Sequence, residues 1–447
     1  MLELPKLTFR GGVHPMRGAH EGKIPTRNQP IRDFVSDRVA ILMGMHLGAP
    51  SKPCVAKGDR VLMGQLIGEP VGPLGVAVHA SVSGNVTAVE PIPYMTAEPM
   101  MCVSIRNDFK DEWVELNPLG NVETCDPALI VPAIKEAGIC GMGGAAFPTH
   151  VKLTCREGAT CDTIILNGVE CDTHLTADHR LMLEEPARIV DGLRAAMRAL
   201  DVKRGVIAIE DNKPEAIEAM SKAIEGRIGV EVAVLKTKYP QGCEKQLIKS
   251  ITGREVPSGK LPVDVHTIML NVATAHAIAD AVIDGKPLVE RITTVTGCVL
   301  EPGNLRMRVG TYLCDAIGEC GGYSEYPGKI VCGGGMTGTC APNHDVPTTK
   351  ATNGIVVFNK PDSRSVEEGP CIRCGRCVEA CPMGLNPYLI KHHCDMAKWD
   401  EAKKLNLLDC TLCGCCSYAC PARRWLTASF KVAKANLAIA AERGKAQ

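Results

Sequence analysis

The pattern of apolar and polar positions divides the chain into blocks with different periodicities. Residues 45–120 alternate short apolar runs with Gly-Asp and Ser-Gly turns, as in "VAVHASVSGNVTAVEP", which predicts an all-β module. Between 121 and 290, buried-strand runs such as "DTIILNG" alternate with helical runs such as "ARIVDGLRAAMRAL". That alternation predicts an α/β layer. Residues 291–350 return to short strands, so the fold class is multidomain, α/β plus β.

The two ends of the chain lack this regularity. Residues 1–44 are rich in Gly, Pro, Arg and His, which predicts an extended N-terminal arm. The segment "FNKPDSRSVEEGP" predicts a polar linker within a last domain, 351–447, whose cysteine-dense part begins at Cys371. Between its cysteine runs, "LNPYLIKHHCDMAKWDEAKKLNLLD" predicts helices.

Composition and charge narrow the class of protein. The chain has 447 residues and a formal net charge of zero, so nothing indicates nucleic acid as a partner. It contains no apolar run of about 18 residues, and its start has no secretory apolar region. The 23 cysteines of so long a chain favour metal or redox chemistry over a disulfide framework. We therefore expect a cytoplasmic, reduced protein.

Two cysteine runs give the strongest chemical signal. Cys371, Cys374, Cys377 and Cys381 recur with the same spacing as Cys410, Cys413, Cys416 and Cys420, and a proline follows each fourth cysteine. This is the spacing of ferredoxins with two [4Fe–4S] clusters, in which the fourth cysteine ligates the other cluster. One cluster is thus expected on Cys371, Cys374, Cys377 and Cys420, and the other on Cys410, Cys413, Cys416 and Cys381. Zinc is the disfavoured alternative, and Cys415 could compete with Cys416 as a ligand.

The loop "GICGMGGAAFPTHVKL" contains Gly141-x-Gly143-x-x-Ala146, which nominally fits a dinucleotide-binding fingerprint. The fingerprint requires a strand before the glycines and a helix opening at them. Here a helical run precedes the glycines, and Pro148 interrupts the segment after them. A Rossmann dinucleotide site is therefore not expected.

The same loop resembles the flavin-binding loop of the NADH-oxidising subunit of respiratory complex I. Three further segments match that subunit in the same order: "ILNGVECDTHLTADHRLMLE" (165–184), "YPQGCEKQLI" (239–248) and "MLNVATAHAIADAV" (269–282). With "FRGGVHP" near the start, the β module and the cysteine tail, nearly the whole chain resembles the C subunits of Rnf complexes. Those complexes are membrane-bound ferredoxin:NAD⁺ oxidoreductases that couple electron transfer to sodium or proton translocation.

The resemblance implies a fold for each block. It implies a lipoyl-carrier-like barrel-sandwich over 45–120, whose hairpin "HASVSG" has no lysine to modify, so a docking module is expected. It implies an FMN- and NADH-binding α/β domain of the complex I type over 121–290. It further implies a small β-grasp-like, soluble-ligand-binding module over 291–350 and a helical, ferredoxin-like domain with two [4Fe–4S] clusters over 351–447. We expect the glycine-rich stretch 331–340 to be a loop against the flavin domain.

The resemblance also implies roles for individual residues. Gly141, Gly143 and Gly144 would bring backbone N–H groups to FMN. Others expected at FMN are Lys152, Asn167, Glu170, Asn271 and Thr274. Those expected on the NAD(H) side are Phe147, Asp172, Tyr239 and Glu244. The chain departs from the complex I pattern at Val169, Asp172 and Cys243, which bears on NADH binding; Cys171 and Cys243 are expected to be buried free thiols.

The implied function is electron transfer between NAD(H), FMN and two [4Fe–4S] clusters. The implied partners are the other subunits of a membrane complex and ferredoxin-like carriers, with the chain peripheral on the cytoplasmic face of the membrane. Two alternatives stay open. One is a soluble relative that feeds a dedicated reductase, of the proline-reductase-associated or cobalamin-reducing type. The other is a non-catalytic docking subunit that only relays electrons.

Overall fold

The computed structural model describes residues 7–15, 21–96, 98–154, 160–363 and 367–445, which form four packed units. The expected N-terminal arm lies in part outside them, at residues 1–6 and 16–20. No helix in the described ranges is both long and apolar enough to cross a membrane.

The first unit is a β module made of two small sheets around one apolar core. In chain order the N-terminal elements are α1 (Ile24–Arg27), β1 (Ile31–Phe34), β2 (Arg38–Leu42), β3 (Lys52–Pro53), β4 (Arg60–Val61), β5 (Leu66–Glu69), β6 (Val78–His79), β7 (Gly84–Ile92) and β8 (Met100–Asn107). One sheet has the order β2-β8-β7-β4 and the other β3-β5-β6. The hairpin around Ser81 is buried, and the Ser81 hydroxyl donates a hydrogen bond to the Val309 carbonyl at 2.6 Å.

The expectation of an arm running to residue 44 is corrected by two strands. Residues 7–15 do run extended along the second unit, with bridges from Leu7 to Leu235 and from Val13 to Tyr239. However, β1 joins the sheet of the third unit beside the strand Gly303–Arg308, and β2 pairs antiparallel with β8. The short run "RVAIL" of β2 is almost wholly buried, and tertiary pairing gives it a partner that lies more than 60 residues along the chain.

The second unit is a parallel α/β layer. Its elements are α2 (Pro127–Glu136), α3 (Thr149–Lys152), β9 (Thr163–Asn167), α4 (Ala177–Glu184), α5 (Pro186–Ala199), β10 (Arg204–Glu210), α6 (Pro214–Ala223), β11 (Val230–Leu235), α7 (Glu244–Thr252), a 3₁₀ turn (Pro262–Val265), β12 (Thr267–Asn271) and α8 (Val272–Ile283). Helices α5 and α8 touch at Gly192, where a Cβ would lie 1.7 Å from the Ala275 carbonyl oxygen. The predicted α/β alternation is confirmed.

The order of the parallel strands, β11-β10-β9-β12, creates a crevice. Strands β10 and β11 lie on one side of β9, and β12 lies on its other side. The order in which the chain adds strands to the sheet therefore reverses at β9. Ligands of open α/β sheets bind at the carboxyl ends of the strands at such a switch point. Asn167 and Asn271 end β9 and β12 in register and therefore face this crevice together.

The third unit is the small β module. Its elements are β13 (Glu290–Gly297), β14 (Gly303–Arg308), α9 (Leu313–Glu319), β15 (Pro327–Cys332), β16 (Thr339–Cys340) and β17 (Gly354–Asn359). With β1 they form a six-stranded sheet of order β1-β14-β13-β17-β15-β16. Strand β17 lies beyond the expected boundary at 350, and it includes the first two residues of the expected linker, because "GIVV" is a buried run paired with β13 and β15.

The fourth unit is helical, as predicted. It contains α10 (Arg376–Glu379), α11 (Pro387–Asp395), α12 (Trp399–Lys404), a 3₁₀ turn (Leu407–Asp409), α13 (Cys415–Tyr418) and α14 (Leu426–Lys445). The two cysteine runs share one backbone conformation, since Arg373 and Leu412 have left-handed φ values of 55° and 57°, and Gly375 and Gly414 of 79° and 83°. The repeat seen in the sequence is thus a repeat in structure.

One buried lysine joins three of the units. The ammonium group of Lys350, in the third unit, donates hydrogen bonds to the carbonyls of Ala77 at 2.8 Å and Gly138 at 2.7 Å. These carbonyls belong to the first and second units. Burial lowers the pKa of Lys350 to about 8. The junction therefore relies on a cation that is solvated by backbone carbonyls.

An ionic network joins the α/β layer to β14. The His276 imidazole lies 2.6 Å from Glu185 and 3.2 Å from Asp280, and Glu185 also pairs with Arg306. Burial opposes the charged imidazolium, but hydrogen bonds to Asp280 and Glu185 and their charges raise the pKa of His276 to about 9. The bond from His276 holds the pKa of Glu185 down to about 2, against the effect of burial.

This network makes stability depend on pH in the alkaline range. The raised pKa of His276 contributes stability that is fully present below about pH 6.5 and is lost as the pH rises through about 9. The contribution amounts to about 3 kcal/mol. We expect the thermal unfolding midpoint of the wild-type chain to fall between pH 6.5 and 10, and that of His276→Gln to fall less. Equal slopes in the two proteins would contradict the assignment.

Candidate functional site

A cavity of about 490 Å³ lies at the carboxyl ends of β9 and β12. Seven of the residues predicted from the sequence line it: Gly143, Gly144, Asn167, Glu170, Asp172, Tyr239 and Asn271. The third unit supplies another wall through the glycine-rich stretch that begins at Cys332, and the fourth unit contributes Thr411 and Cys413. Tyr94 and Met95 of the first unit also line it, so all four units of the chain share the cavity.

The glycine loop is held from two sides. The Met142 N–H donates to the Thr274 hydroxyl at 3.0 Å, and the buried Arg291 donates to the Met142 carbonyl at 2.8 Å. A Cβ on Gly143 would lie 2.9 Å from the Asn271 side chain, whereas a Cβ on Gly144 would meet no atom within 4 Å. The loop thus presents its backbone to the cavity, with open space in front of Gly144. As predicted, a helix, α2, precedes this loop.

The segment after β9 is fixed by a lysine from the N-terminal region. The Lys23 ammonium donates to the carbonyls of Glu170, Asp172 and Leu175, at 2.7, 2.8 and 2.7 Å. Glu170 has a left-handed φ of 44°, a conformation that such surrounding bonds must maintain. Burial lowers the pKa of Lys23, while the charge of Glu170 acts in the opposite direction.

The Glu170 carboxylate faces the start of α4. It accepts hydrogen bonds from the backbone N–H groups of Asp178 at 2.8 Å and His179 at 3.2 Å. The Asn271 amide donates to the Asp178 carboxylate at 2.6 Å, which links this helix to β12. Burial raises the pKa of both Glu170 and Asp178. Glu170 and Asp178 are therefore two buried carboxylates whose charges are offset by Lys23 and Arg291.

Asp172 binds the glycine-rich loop of the third unit. Its carboxylate accepts hydrogen bonds from the N–H groups of Thr173 at 2.7 Å, Met336 at 2.9 Å and Thr337 at 3.2 Å, and from the Thr337 hydroxyl at 2.5 Å. A Cβ on Gly334 would lie 2.2 Å from the Asp172 Cγ, so only glycine fits there. As predicted, stretch 331–340 packs against the α/β layer, but only its middle is a loop, because Cys332 ends β15 and Thr339–Cys340 form β16. Both oxygens of Asp172 are engaged by the chain itself.

Five predicted residues are not among those that line the cavity: Gly141, Phe147, Lys152, Glu244 and Thr274. Gly141 and Phe147 close the glycine loop through a hydrogen bond of 2.8 Å. Lys152 pairs with Glu244 at 3.4 Å and donates to the Met269 carbonyl at 3.2 Å. Thr274 supports the loop from below.

Tyr239 connects the cavity to the cysteine runs. Its hydroxyl donates to the Cys413 carbonyl at 2.6 Å, and its side chain is buried. Tyr239 precedes Pro240 through a cis peptide bond. Burial raises the pKa of Tyr239. Cys171 and Cys243, which also line the cavity, are free thiols.

The two cysteine runs surround two further cavities. Cys371, Cys374, Cys377 and Cys420 line one, which we call the outer cavity. Cys381, Cys410, Cys413 and Cys416 line the other, the inner cavity, together with Cys415. In each, the fourth cysteine comes from the opposite run, as the spacing predicts. Over the described residues, no three His, Cys, Asp or Glu side chains form a site for a single metal ion.

Sequence reasoning missed Lys23, Asp178 and Arg291. Lys23 lies in a region without periodicity, and its carbonyl partners are about 150 positions away, so no local signal marks it. Asp178 lies inside segment 165–184, in the first turn of α4. Acidic residues are common in the first turn of a helix. Its contact with Asn271 therefore could not be expected from the sequence.

Family models match three parts of the chain. The FMN-binding domain of the complex I 51-kDa subunit family matches residues 134–280. The barrel-sandwich hybrid domain of RnfC matches residues 7–110, and the SLBB domain matches residues 292–339. These matches confirm a barrel-sandwich domain in the first unit, an FMN-binding domain in the second and an SLBB domain in the third. The match to the FMN-binding domain spans both the glycine loop and Asn271.

Full-length relatives agree with these matches. The chain is 45% identical to the C subunit of the proton-translocating ferredoxin:NAD(+) oxidoreductase complex of Clostridium ljungdahlii, over 98% of this chain and 96% of the relative. It is 43% identical to the C subunit of the Na(+)-translocating complex of Acetobacterium woodii, over 98% of both chains. It is 40% identical to the C subunit of the ion-translocating oxidoreductase complex of Rhodobacter capsulatus, over 97% of this chain and 84% of the relative. The chain therefore belongs to the Rnf family, the C subunits of ion-translocating ferredoxin:NAD(+) oxidoreductase complexes.

Proposed function

We propose that the chain transfers electrons between NAD(H), FMN and two [4Fe–4S] clusters. FMN would occupy the cavity at the ends of β9 and β12. One observation carries the proposal: Cys413 lines both this cavity and the inner cysteine cavity. A flavin in the first would therefore adjoin a cluster in the second, with no other unit between them.

The residues around the cavity fit a flavin nucleotide. Open space in front of Gly144 leaves room for a ligand beside the loop backbone, and Asn167 and Asn271 line the cavity from adjacent strand ends. Asn271 also caps α8, since its side chain accepts from the Ala273 N–H at 2.9 Å. The N-terminus of a helix favours a phosphate group. Thr274 would act by supporting the loop that receives the flavin.

NAD(H) would bind in the space between the glycine loop and the wall of the cavity that begins at Cys332. When bound, FMN supplies the conversion between a two-electron hydride and single electrons. The protein would position the nucleotide and exclude water. Phe147 closes the glycine loop, Glu244 pairs with Lys152, and Asp172 holds the loop of the third unit. These three residues would therefore act by shaping the site.

The cysteine cavities fit cubane clusters in their donor sets. Each contains a set of four thiols, three from one run and the fourth from the other, and the inner cavity has Cys415 as a fifth. The shared backbone conformation of the two runs supports equivalent clusters. The relatives' names support assembly with further subunits of an ion-translocating ferredoxin:NAD(+) oxidoreductase complex. The chain would lie at the cytoplasmic face of the membrane and exchange electrons with ferredoxin-like carriers. Ion translocation would belong to those partner subunits.

A second candidate is a relay that receives electrons from a donor other than NADH. It is favoured by the engagement of both Asp172 oxygens by the loop of the third unit. In that case the chain would keep flavin and clusters and serve a dedicated reductase or a docking role.

An anaerobic NADH titration separates the two candidates. The chain is loaded with FMN, iron and sulfide, and flavin absorbance and cluster EPR are followed together. We expect NADH to bleach the flavin and then to produce signals of two interacting [4Fe–4S] clusters. If NADH leaves the flavin oxidised while dithionite reduces all centres, the protein is a relay and NADH is not its donor.

Gly144→Val tests the flavin cavity in the same assay. A valine side chain at position 144 enters open space, so the fold should be unaffected. It would occupy part of the cavity that FMN needs. We expect the dissociation constant for FMN to rise at least tenfold, about 1.4 kcal/mol, with an unchanged melting temperature without FMN. Gly318→Val is the matched control, because Gly318 also faces open space but lies in α9.

Lys23→Met tests the fixation of the segment after β9. Three carbonyls and the Glu170 carboxylate would lose their buried cation, which costs roughly 3 kcal/mol or more. We expect a lower melting temperature and FMN binding weakened tenfold or more. Lys203→Met, at an exposed lysine, should change neither quantity. Retention of wild-type FMN affinity by Lys23→Met would refute the role of Lys23.

Cys415 and Cys416 provide a paired test of the inner cluster. The Cys415 thiol lies 3.9 Å from the Tyr239 carbonyl, so it already packs against the second unit. We expect Cys415→Ala to retain the iron and sulfide of both clusters and Cys416→Ala to lose one cluster, measured by iron content and EPR. The reverse result would make Cys415 the ligand.

A further inference from the structure

The linings of the two cysteine cavities differ in charge. The inner cavity is lined, apart from its cysteines, by uncharged side chains such as Met383, Leu385 and Phe430. The outer cavity is lined by two arginines, Arg373 and Arg424. Its thiols are also more accessible, since Cys371 and Cys374 are exposed. The two clusters would therefore lie in different electrostatic surroundings.

Arg424 has a hydrogen-bond donor without a partner. Its Nη2 donates to the Asp395 carboxylate at 2.9 Å. Its Nε is buried and, among the described residues, has no hydrogen-bond acceptor. A buried N–H left in this state destabilises the fold, because it has lost its bond to water and gained no other. Because Arg424 lines the outer cavity, a sulfur atom in that cavity is the acceptor that the arrangement lacks.

We propose that Arg424 donates its Nε–H to a sulfur of the cluster in the outer cavity and thereby raises the reduction potential of that cluster above that of the inner one. The inference rests on the proposed function, since it requires clusters in both cavities. It assigns Arg424 a tuning role that the spacing of the cysteines does not indicate.

The direction of the effect follows from charge. A cluster that accepts one electron becomes more negative, so an N–H donor and a nearby cation stabilise its reduced form. The reduced inner cluster would pass its electron to the oxidised outer cluster, with no bond made or broken. The outer cluster would then hold the electron at the exposed face, where a redox partner can reach it.

Other charges near the cavities do not reverse this asymmetry. Lys434 approaches the inner cavity, but its ammonium donates to the Cys410 carbonyl at 2.5 Å and does not line the cavity. Asp395 offsets part of the charge of Arg424 and also pairs with Lys391. The directed Nε–H bond, more than net charge, therefore distinguishes the outer cluster.

EPR-monitored redox titration of the full chain, loaded with both clusters, tests the proposal. Cys374→Ser, which removes an outer ligand, identifies the outer signal. We expect Arg424→Gln to make reduction of the outer cluster threefold to tenfold less favourable, a tenfold change being 59 mV for one electron. The inner midpoint should stay constant. Arg423→Gln is the matched control, because Arg423 is adjacent and exposed but does not line the cavity.

Asp395→Asn separates the hydrogen bond to the cluster from the ion pair. This variant removes the negative charge that pairs with Nη2, keeps an acceptor oxygen and leaves Nε in place, so the outer midpoint should stay constant or rise. If Asp395→Asn lowers the midpoint as Arg424→Gln does, or if Arg423→Gln matches Arg424→Gln, the proposal is overturned. If the wild-type chain fails to bind iron and sulfide for two clusters, the proposed function itself fails.

Discussion

The cavity depends on the segment after β9, and that segment depends on one buried ammonium group. The backbone of residues 170–175 directs the carbonyls of Glu170, Asp172 and Leu175 toward Lys23. Without a cation, these carbonyls would converge in a region that excludes water, and their mutual repulsion would be uncompensated. Glu170 keeps its left-handed backbone because both its carbonyl and its carboxylate are bonded. The N-terminal region is therefore part of the site although it is remote in sequence.

The same region also ties the cavity to the cysteine domain. The Gly12 N–H donates to the Ala380 carbonyl at 2.9 Å, beside Cys381, and the Val13 N–H donates to the Tyr239 carbonyl at 2.8 Å. A Cβ on Gly11 would lie 2.8 Å from the Cys381 carbonyl oxygen, so glycine is required for the close approach. Together with the hydrogen bond from Tyr239 to Cys413, these contacts hold the fourth unit against the second unit. Electron transfer at a fixed distance requires this kind of rigidity.

Local patterns in the sequence predicted much of this arrangement. The cysteine spacing predicted which four cysteines line the outer cavity and which four line the inner one, because tight turns and short helices bring residues of nearby sequence positions together. The α/β periodicity located β9 and β10, and the resemblance to the complex I subunit pointed to Asn167 and Asn271. The features that local patterns could not supply were long-range. Strands β1, β2 and β17 are short runs whose assignment depends on distant partners. The engagement of Asp172 likewise depends on a loop more than 160 residues away.

Asp172 illustrates why a motif match does not by itself fix a residue's role. The match with the complex I pattern suggested a nucleotide contact, since an acidic residue occupies that position in both. The structure gives its carboxylate four donors from the chain, including the backbone of a glycine-rich loop that accepts no side chain at Gly334. A carboxylate has about four acceptor positions, so little capacity remains for a ribose. Its physical role in this chain is to hold the wall of the cavity, and selectivity for a nucleotide must then come from the shape of that wall.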